Sequence, residues 1–409
     1  MGLIVQKFGG TSVGSPERIM NVANRVIEEK ENGNDVVVVV SAMGKTTDQL
    51  VTLAKEITSN PSRREMDMLL TTGEQVTISL LSMALHSKGY EAISFTGWQA
   101  GIETEAVFGN ARILNIDSNR IKGELSEGKI VVVAGFQGAT IDGEIATLGR
   151  GGSDTTAVAL AAALKADKCD IYTDVTGVFT TDPRYVKDAR KLLSISYDEM
   201  LELANLGAGV LHPRAVEFAK NYSVPLEVRS SMERESGTII EEEGNMEQNL
   251  VVRGVAFEDE ITRVTVLGMT NSLSSLSTIF TTLAQNHLNV DIIIQSTTND
   301  NTTDLAFSIK SGDLDDTLSV LESNKDLLNY KEIQYETMLA KVSIVGSGMV
   351  SNPGVAAKMF EVLANNGIEV KMVSTSEIKV STVVKEGNML KAVEALHEAF
   401  ELAGTPVKS

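Results

Sequence analysis

Short apolar stretches alternate with longer helical stretches from residue 1 to about residue 230. Six apolar stretches have the length of a β-strand: LIVQKF, DVVVVVSAM, AISFTG, KIVVVAGF, CDIYTDV and VPLEVRSS. Several of these are nearly continuous runs of Val and Ile. Such runs are typical of parallel strands that helices cover on both faces. Three stretches between them have the length and pattern of a helix: RIMNVANRVIEEKENG, MLLTTGEQVTISLLSMALHSKG and SDTTAVALAAALKADK. The alternation predicts an α/β domain with a mostly parallel central sheet, which binds ligands at the carboxyl ends of its strands.

The second part of the chain contains an internal repeat. The composition becomes acidic and polar around EEEGNMEQN, residues 241–249. After this boundary, RVTVLGM…STIFTTLAQNHLNVDIII from Arg263 matches KVSIVGSG…AKMFEVLANNGIEVKMV from Lys341. Each copy has the order strand, helix, strand, strand, helix, strand, which predicts two small α/β sandwiches. The predicted organisation is a large domain over 1–240, a linker over 241–262, and repeats over 263–337 and 338–409.

Composition and charge limit the class of partner. The chain has 409 residues, 43% of them hydrophobic, and a formal net charge of −19. Nucleic acids and anionic membranes require basic patches, so neither is predicted as a partner. No apolar run approaches the roughly 20 residues of a membrane span. The first strand begins too early to leave room for a signal peptide, and the predicted location is the cytoplasm.

Residues that commonly bind metals are scattered. Cys169 is the only cysteine, which excludes disulfides within the chain and cysteine-rich metal sites. The histidines are widely separated and form no ligand motif, at His86, His212, His287 and His397. The sequence therefore predicts no metal site made of protein side chains.

Two glycine-rich stretches are suited to binding an anion. KFGGTS, residues 7–12, comes directly after the apolar run LIVQ, and its glycines allow backbone N–H groups to approach a ligand closely. LGRGGSDTTA, residues 148–157, joins a strand to a helix, whose first N–H groups attract negative charge. Arg150 could bind a carboxylate through two parallel hydrogen bonds. Each stretch could instead be a turn that serves packing alone.

Further polar residues follow other strands. In YTDVTGVFTTDPR, Asp174, Asp182 and Arg184 come after a strand end, although an ordinary capped loop explains this stretch taken alone. Glu74 stands at the start of an apolar helical stretch, where an unpaired carboxylate is costly. Its partner could be a substrate ammonium group or a structural arginine such as Arg64, and the sequence leaves both open.

Taken together, five stretches resemble the aspartate kinases of the amino acid kinase family: KFGGTS, VVVVVSAMGKTTDQL, MLLTTGEQ, TLGRGGSDTTAVALAAAL and YTDVTGVFTTDPR. The resemblance covers the whole chain, since the single-function bacterial members carry two tandem ACT domains (βαββαβ) after the kinase domain. It implies an amino-acid kinase sandwich with a mostly parallel central sheet, followed by these two domains. It also implies transfer of the γ-phosphate of ATP, bound with Mg²⁺, to the β-carboxylate of L-aspartate. The product, 4-phospho-L-aspartate, leads to lysine, threonine, methionine and diaminopimelate.

The resemblance also implies roles for individual residues. Lys7 would stabilise the transferring phosphoryl group, Asp154 would orient Lys7, and Arg150 would hold the α-carboxylate of aspartate. Besides Lys7, the implied ATP-binding residues are Phe8, Gly9, Gly10, Ser41, Thr173, Asp174, Phe179, Asp182 and Arg184. The implied aspartate-binding residues are Thr47, Glu74, Arg150, Gly151, Gly152 and Ser153. Mg²⁺ is expected on phosphate oxygens and water.

Two positions depart from the family pattern. Some relatives have a second phosphate-binding lysine after the Ser-Ser of VRSS, where this chain has Met232. Arg184 is the candidate for the missing charge. The first ACT copy has Asn271 where an aspartate usually begins an Asp-x-Pro-Gly loop, which removes one partner for an effector ammonium group. Asp291 or Glu377 could replace that partner.

The ACT copies imply feedback inhibition by L-lysine, alone or together with L-threonine, at interfaces between paired copies. The implied effector-binding residues are Asn289, Val290, Asp291, Gln295, Val355, Ala356, Glu369, Val370, Ser376 and Glu377. The expected assembly is a homo-oligomer, or an α2β2 tetramer whose ACT-only subunit starts internally at Met246. Two alternatives stay open: a first ACT copy that serves dimerisation only, and a catalytically inactive amino-acid sensor that retains the kinase fold.

Overall fold

The computed structural model describes residues 2–242, 250–297 and 302–404. The first part of the chain contains β1 (Leu3–Phe8), α1 (Pro16–Glu31), β2 (Asp35–Val40), α2 (Thr46–Ile57), α3 (Arg63–Leu70), α4 (Thr72–Ser87), β3 (Ala92–Phe95), β4 (Ile102–Thr104), β5 (Ile113–Ile116), α5 (Asn119–Ser126), β6 (Ile130–Ala134), β7 (Gln137–Ala139), β8 (Ile145–Thr147), α6 (Gly152–Leu164), β9 (Lys168–Thr173), β10 (Ser194–Ser196), α7 (Tyr197–Asn205), α8 (Pro213–Tyr222), β11 (Leu226–Ser230) and β12 (Thr238–Glu241). The second part contains β13 (Gly254–Thr270), α9 (Leu273–Gln285), β14 (Ile293–Thr297), β15 (Thr302–Lys310), α10 (Leu314–Ser323), α11 (Lys325–Leu328), β16 (Glu332–Val345), α12 (Val355–Asn365), β17 (Val370–Thr375), β18 (Lys379–Lys385) and α13 (Met389–Ala399).

The central sheet of the first part has the strand order β10-β12-β11-β9-β1-β2-β6-β3. From β11 to β3 the neighbouring strands are parallel, whereas β12 is antiparallel to β11. Val36, Val38 and Val40 of β2 pack with α1 and α4, and Val37 and Val39 pack in the layer that contains α5, α6 and α8. Because alternate side chains of a strand point to opposite faces, a continuous valine run fills both layers. The predicted α/β fold with a mostly parallel sheet is confirmed.

A smaller sheet, with the order β5-β4-β7-β8, positions one of the glycine-rich stretches. Asp67 of α3 is fully buried, and its carboxylate accepts hydrogen bonds from Thr147 N and Thr147 Oγ1 at 2.8 Å and from Gly109 N at 2.9 Å. Since β8 ends at Thr147, this contact fixes the start of the stretch 148–157. The alternation pattern did not predict the small sheet, because its strands are only three or four residues long.

The second part forms one antiparallel sheet with the order β14-β15-β13-β16-β18-β17. One half of the sheet shares a hydrophobic core with α9 and α10, and the other half shares a core with α12 and α13. These halves are the sandwiches that the internal repeat predicts.

The two sandwiches are nested rather than consecutive. Gly254–Glu258 pairs with Lys341–Val345 in the second half of the sheet, whereas Arg263–Leu267 pairs with Glu332–Glu336 in the first half. The second sandwich therefore takes one strand from a segment that precedes the first sandwich. This corrects the predicted linker, because residues 254–262 belong to β13. Pairing between strands so far apart in the chain leaves no local signal in the sequence.

Helix α7 links the two parts of the chain. The carboxylate of Glu199 accepts hydrogen bonds from Ser347 N at 2.8 Å and from Ser347 Oγ at 2.7 Å, and Glu202 forms an ion pair with Lys379 at 2.9 Å. In addition, Val255 N of β13 donates to Thr180 O at 2.7 Å. The six-stranded sheet of the second part, here called the ACT sheet, is thus held directly against α7, the helix that precedes α8.

One helical stretch of the described residues, Arg63–Ser87, has the length and composition of a membrane span. It comprises α3 and α4, and half of its most apolar window is buried within the protein. Its residues Asp67 and Glu74 hydrogen-bond to other parts of the fold. The apolar face of α4 packs on the central sheet, which accounts for its composition.

Candidate functional site

Three loops leave the central sheet side by side. In the sheet register, Phe8 of β1 is paired with Val40 of β2 and Tyr172 of β9. Just beyond, Gly9 N donates to Tyr172 O at 3.3 Å, and Ser41 N donates to Phe8 O at 3.1 Å. The structure therefore brings three polar stretches of the sequence to the carboxyl edge of a parallel sheet, where ligands bind.

The adjacent glycines of KFGGTS have different roles. A Cβ at Gly10 would lie 2.9 Å from Ala42 O and 3.2 Å from Gly44 O, so glycine is needed there for two loops to cross. A Cβ at Gly9 would lie 3.4 Å from the ammonium nitrogen of Lys7. Glycine at position 9 thus keeps the space beside that ammonium group open.

Lys7 and Asp154 form an ion pair at this edge. Lys7 Nζ lies 2.6 Å from Asp154 Oδ1, and each side chain is 12% exposed. Lys7 belongs to β1, and Asp154 lies in the first turn of α6, which begins at Gly152. Because regular elements hold both groups, the ammonium is fixed in direction while part of it remains open to a ligand. Such a fixed cation can stabilise an anion without reorganising.

Glu74 is buried in the first turn of α4 and has one free carboxylate oxygen. Its Oε1 accepts a hydrogen bond from Ala42 N at 3.1 Å, and its Oε2 has no hydrogen-bond partner among the described residues. Burial raises the pKa of Glu74 to about 7. Arg64 forms ion pairs with Glu65 and Glu144 instead. The structural-arginine alternative is therefore excluded, and Glu74 can accept a donor from a ligand.

Arg150 lies on a loop with a special backbone. Gly149 and Gly151 have positive φ angles of 75° and 66°, a conformation that favours glycine. Arg150 between them is exposed and has no ion pair or hydrogen bond with any residue that the structure describes. Ser153 is buried against Gly135, where a Cβ would lie 2.7 Å from Ser153 Oγ. The loop therefore presents a free guanidinium group next to a fixed helix start.

Two residues that hold this loop were missed by sequence reasoning. Arg214 of α8 donates hydrogen bonds to Leu148 O at 2.7 Å and to Ala111 O at 3.0 Å. His212 caps the same helix, because its Nδ1 accepts a hydrogen bond from Arg214 N at 3.3 Å. A Cβ at Gly151 would lie 2.1 Å from the Cβ of His212, so this side chain packs directly on the glycine. The only sequence signal is the HPR tripeptide at the helix start, which is also typical of a capped helix.

Several of the residues expected at the nucleotide lie at the end of β9 or in the loop that follows it. Thr173 Oγ1 donates to Asp174 Oδ1 at 3.1 Å. Asp182 and Arg184 bind each other, with Nη2 and Oδ2 2.6 Å apart, and this pairing holds the pKa of Asp182 below its usual value. Arg184, the candidate to replace the lysine missing at Met232, is 83% exposed and is paired with Asp182 in this structure.

Two aromatic residues at the ends of β1 and β9 are buried beneath the carboxyl edge of the sheet. Phe8 is fully buried and stacks on Tyr172 with ring centroids 4.5 Å apart, so only its backbone borders the edge. The guanidinium groups of Arg25 and Arg229 lie 5.4 and 5.6 Å from the centroid of the Tyr172 ring. Phe179 is half-buried beyond β9. Thr47 is also half-buried, in the first turn of α2.

The effector positions of the two ACT copies lie at opposite edges of the six-stranded sheet. The first set is at the edge strand β14 and in the segment before it: Asn289, Val290, Asp291 and Gln295. The second set is around the edge strand β17 and at the start of α12: Val355, Ala356, Glu369, Val370, Ser376 and Glu377. One copy of the chain therefore does not bring the two sets together. Met246 lies outside the described residues.

Asp291 is already paired inside the chain. Lys341 Nζ lies 2.5 Å from Asp291 Oδ2 and 2.9 Å from Glu258 Oε2, and Lys341 is buried. This cluster borders a cavity of about 490 Å³ between α7 and the ACT sheet, which Asn289 and Val290 also line. One of the two carboxylates predicted to bind an effector ammonium group is therefore paired with the ammonium group of Lys341.

Known protein families match both parts of the chain. The amino acid kinase family matches residues 2–230, and the ACT domain matches residues 342–400. An aspartokinase of Bacillus sp. (strain MGA3) is 82% identical over 409 residues, which are 100% of this chain and 100% of that one.

Two solved structures have a similar fold along nearly the whole chain. E. coli aspartokinase III in complex with aspartate and ADP (R-state) has a TM-score of 0.82 and 27% sequence identity, over 97% of this chain and 99% of that one. E. coli aspartokinase III in complex with lysine and aspartate (T-state) has a TM-score of 0.76 at the same identity and coverage.

Proposed function

The chain belongs to the amino acid kinase family, within which it is an aspartokinase, and we propose how its residues carry out and regulate the reaction. An aspartokinase transfers the γ-phosphate of ATP to the β-carboxylate of L-aspartate and releases ADP and 4-phospho-L-aspartate. Phosphoryl transfer needs alignment of two anions and neutralisation of their charge more than it needs covalent chemistry. The polar groups at the carboxyl edge of the central sheet can meet both needs.

Lys7 neutralises the phosphoryl group during transfer. Its ammonium group is 2.6 Å from Asp154, which fixes its direction, and glycine at position 9 leaves the neighbouring space open. The N–H groups at the start of α6 add partial positive charge to the same region. ATP would lie along the ends of β1, β2 and β9, with Gly9, Gly10 and Ser41 bordering its phosphates.

Aspartate is recognised through its two ends. The free oxygen of Glu74 would accept a hydrogen bond from the α-ammonium group, and the unpaired guanidinium of Arg150 would bind the α-carboxylate in a bidentate manner. Thr47 would contribute near the amino end, and Gly151, Gly152 and Ser153 would shape the loop beside the carboxylate. This arrangement leaves the β-carboxylate free to face the γ-phosphate.

Mg²⁺ enters with ATP. Among the described residues, no group of three or more His, Cys, Asp or Glu side chains is arranged to hold a metal ion. Phosphate oxygens and water suit the strict octahedral geometry that Mg²⁺ prefers. When bound in this way, the ion would offset the charge of the β- and γ-phosphates beside Lys7.

The ion pair between Lys7 and Asp154 is the observation that carries this assignment. In an ATP-dependent aspartyl-hydroxamate assay, we expect Lys7→Met to lower kcat by about 10²- to 10³-fold, as removal of one oriented charge-stabilising donor does in other enzymes. Lys88→Met is the matched control, because Lys88 is exposed at the end of α4. Equal turnover in both variants would contradict the role of Lys7. No turnover in the wild-type chain would favour the inactive amino-acid sensor.

Regulation by amino acids is assigned to the ACT sheet. We propose L-lysine, alone or with L-threonine, as the effector, at a site completed by a second copy of the sheet, since the two sets of effector positions lie at opposite edges within one chain. The hydroxamate assay with lysine, threonine and both together tests this. Inhibition by lysine alone supports a lysine site, and inhibition only by the mixture supports two different ligands. Turnover that is indifferent to both would contradict the assignment.

The assembly follows from the same sheet. We propose a homo-oligomer paired through the ACT sheets, or an α2β2 form whose smaller subunit starts at Met246, acting in the cytoplasm at the first step toward lysine, threonine, methionine and diaminopimelate. Mass analysis of the purified native product separates the two forms. A second polypeptide that begins at Met246 supports the α2β2 form, and a single full-length species supports the homo-oligomer.

A further inference from the structure

Arg214 uses its guanidinium group to join two chain segments. Its Nη1 donates to Leu148 O at 2.7 Å and to Asn110 Oδ1 at 3.1 Å, and its Nη2 donates to Ala111 O at 3.0 Å. The side chain is partly buried, and it forms no ion pair with any residue that the structure describes. A planar, rigid guanidinium group that binds only neutral acceptors serves to fix geometry rather than to balance charge.

The segments that Arg214 joins carry the start of the Arg150 loop. Ala111 N donates to Thr147 O at 2.8 Å, so the residues around 111 run beside the end of β8. A Cβ at Gly149 would lie 2.6 Å from Asn110 Oδ1, the same oxygen that Arg214 binds. Arg214 therefore fixes the backbone immediately before the loop turns outward.

The other end of the loop rests on His212. The ring carbon Cγ of His212 would be 2.1 Å from a Cβ at Gly151, so only glycine fits at this position. His212 and Arg214 are both held at the start of α8, where His212 Nδ1 accepts the hydrogen bond from Arg214 N. The N-terminus of α8 thus contacts the loop on both sides of Arg150.

We propose that Arg214, together with His212, is a positioning residue that aims the guanidinium group of Arg150 at the α-carboxylate of the substrate amino acid. This inference rests on the proposed function, in which Arg150 binds that carboxylate. Arg150 forms no hydrogen bond or ion pair with described residues that would hold its own side chain, so we infer that its direction depends on the backbone of its loop. A small displacement of such a group costs orders of magnitude in productive binding.

Steady-state kinetics of Arg214→Met provide the test, with Arg112→Met as the matched control because Arg112 is exposed on the neighbouring segment. We expect Arg214→Met to raise KM for aspartate by between about tenfold and a hundredfold, with KM for ATP within about twofold of wild type. Arg214→Lys should lie between wild type and Arg214→Met. A parallel rise in both KM values, or an unchanged KM for aspartate, would overturn the proposal.

A double-mutant cycle with Arg150→Met separates this proposal from the one on which it rests. If Arg214 acts through Arg150, the double variant should have a KM for aspartate within about twofold of that of Arg150→Met alone. Additive effects would mean that Arg214 acts by another route and would overturn the positioning role. If Arg150→Met leaves KM for aspartate unchanged, the carboxylate assignment itself fails.

Chemical rescue distinguishes positioning from a general loss of structure. In Arg214→Ala, millimolar guanidinium chloride should lower KM for aspartate toward the wild-type value, because the free cation can reoccupy the acceptors Leu148 O, Ala111 O and Asn110 Oδ1. Sodium chloride at the same concentration should have no such effect. Rescue by both salts alike, or by neither, would overturn the proposal.

Discussion

The buried carboxylate of Glu74 makes aspartate binding depend on pH. Burial raises its pKa from 4.5 to about 7, and one oxygen lacks a hydrogen-bond partner among the described residues. At one pKa unit per 1.36 kcal/mol, the free enzyme disfavours the ionised form by about 3 kcal/mol. An arriving ammonium group stabilises that ionised form. Aspartate should therefore bind more tightly as the pH rises through about 7.

The size of the effect follows from the ionised fraction. With a pKa of about 7, roughly one tenth of the free enzyme carries ionised Glu74 at about pH 6, and roughly nine tenths at about pH 8. The charges of aspartate itself do not change over this window. We expect kcat/KM for aspartate, measured at saturating MgATP, to rise roughly ninefold between these values, since kcat/KM reports ionisation of the free enzyme.

The same shift affects stability in a defined direction. Because the folded-state pKa of Glu74 lies above the unfolded value, its contribution to stability is fully present below about pH 4.5 and is lost as the pH rises through about 7. Glu74→Gln should remove this loss and melt at a higher temperature than wild type at pH 8 in the absence of substrate. Added aspartate should reduce the difference by stabilising wild type preferentially.

The assay compares pH profiles of kcat/KM for wild type, Glu74→Gln and Glu91→Gln, the last being an exposed residue just before β3. Glu74→Gln should be low and flat across the window, and Glu91→Gln should follow wild type. Burial lowers the pKa of His212 from its usual 6.5, so its titration lies below the midpoint. A flat wild-type profile, or a profile unchanged in Glu74→Gln, would refute the assignment of Glu74 to the ammonium group.

Other residues give shorter predictions. Asp154→Asn should lower kcat by about 10- to 100-fold with a small change in KM for ATP, because Lys7 loses the carboxylate that fixes its direction; unchanged kcat would contradict this. Gly151→Ala should lower the melting temperature and raise KM for aspartate at least about tenfold, because the residue has a φ of 66° and its Cβ would overlap His212. Lys341→Met should free Asp291 and lower the lysine concentration that gives half inhibition several-fold; an unchanged value would mean that Asp291 does not bind the effector.

Much of the fold was encoded in local pattern. The continuous valines of β2 alternate between the two hydrophobic layers, and their pattern was sufficient to predict a sheet buried on both faces. Gly9 and Gly10 stood out because they directly follow a strand, and a parallel sheet binds its ligands at that edge. The role of Lys7 was implied by the resemblance of KFGGTS to aspartate kinases. The ion pair of Lys7 with Asp154 joins two stretches that were each recognisable alone.

Tertiary structure decided what depends on contacts between distant segments. The nesting of the ACT sandwiches follows from pairing of Gly254–Glu258 with Lys341–Val345, for which periodicity gives no sign. Packing likewise decides that Asp291 pairs with a buried lysine and that Arg214 binds the backbone of the Arg150 loop. An arginine that binds carbonyl oxygens carries no motif, because any backbone offers those acceptors. The sequence by itself determined which elements form and which residue types can do chemistry, and only the tertiary structure decided which of them are paired internally and which remain free for a ligand.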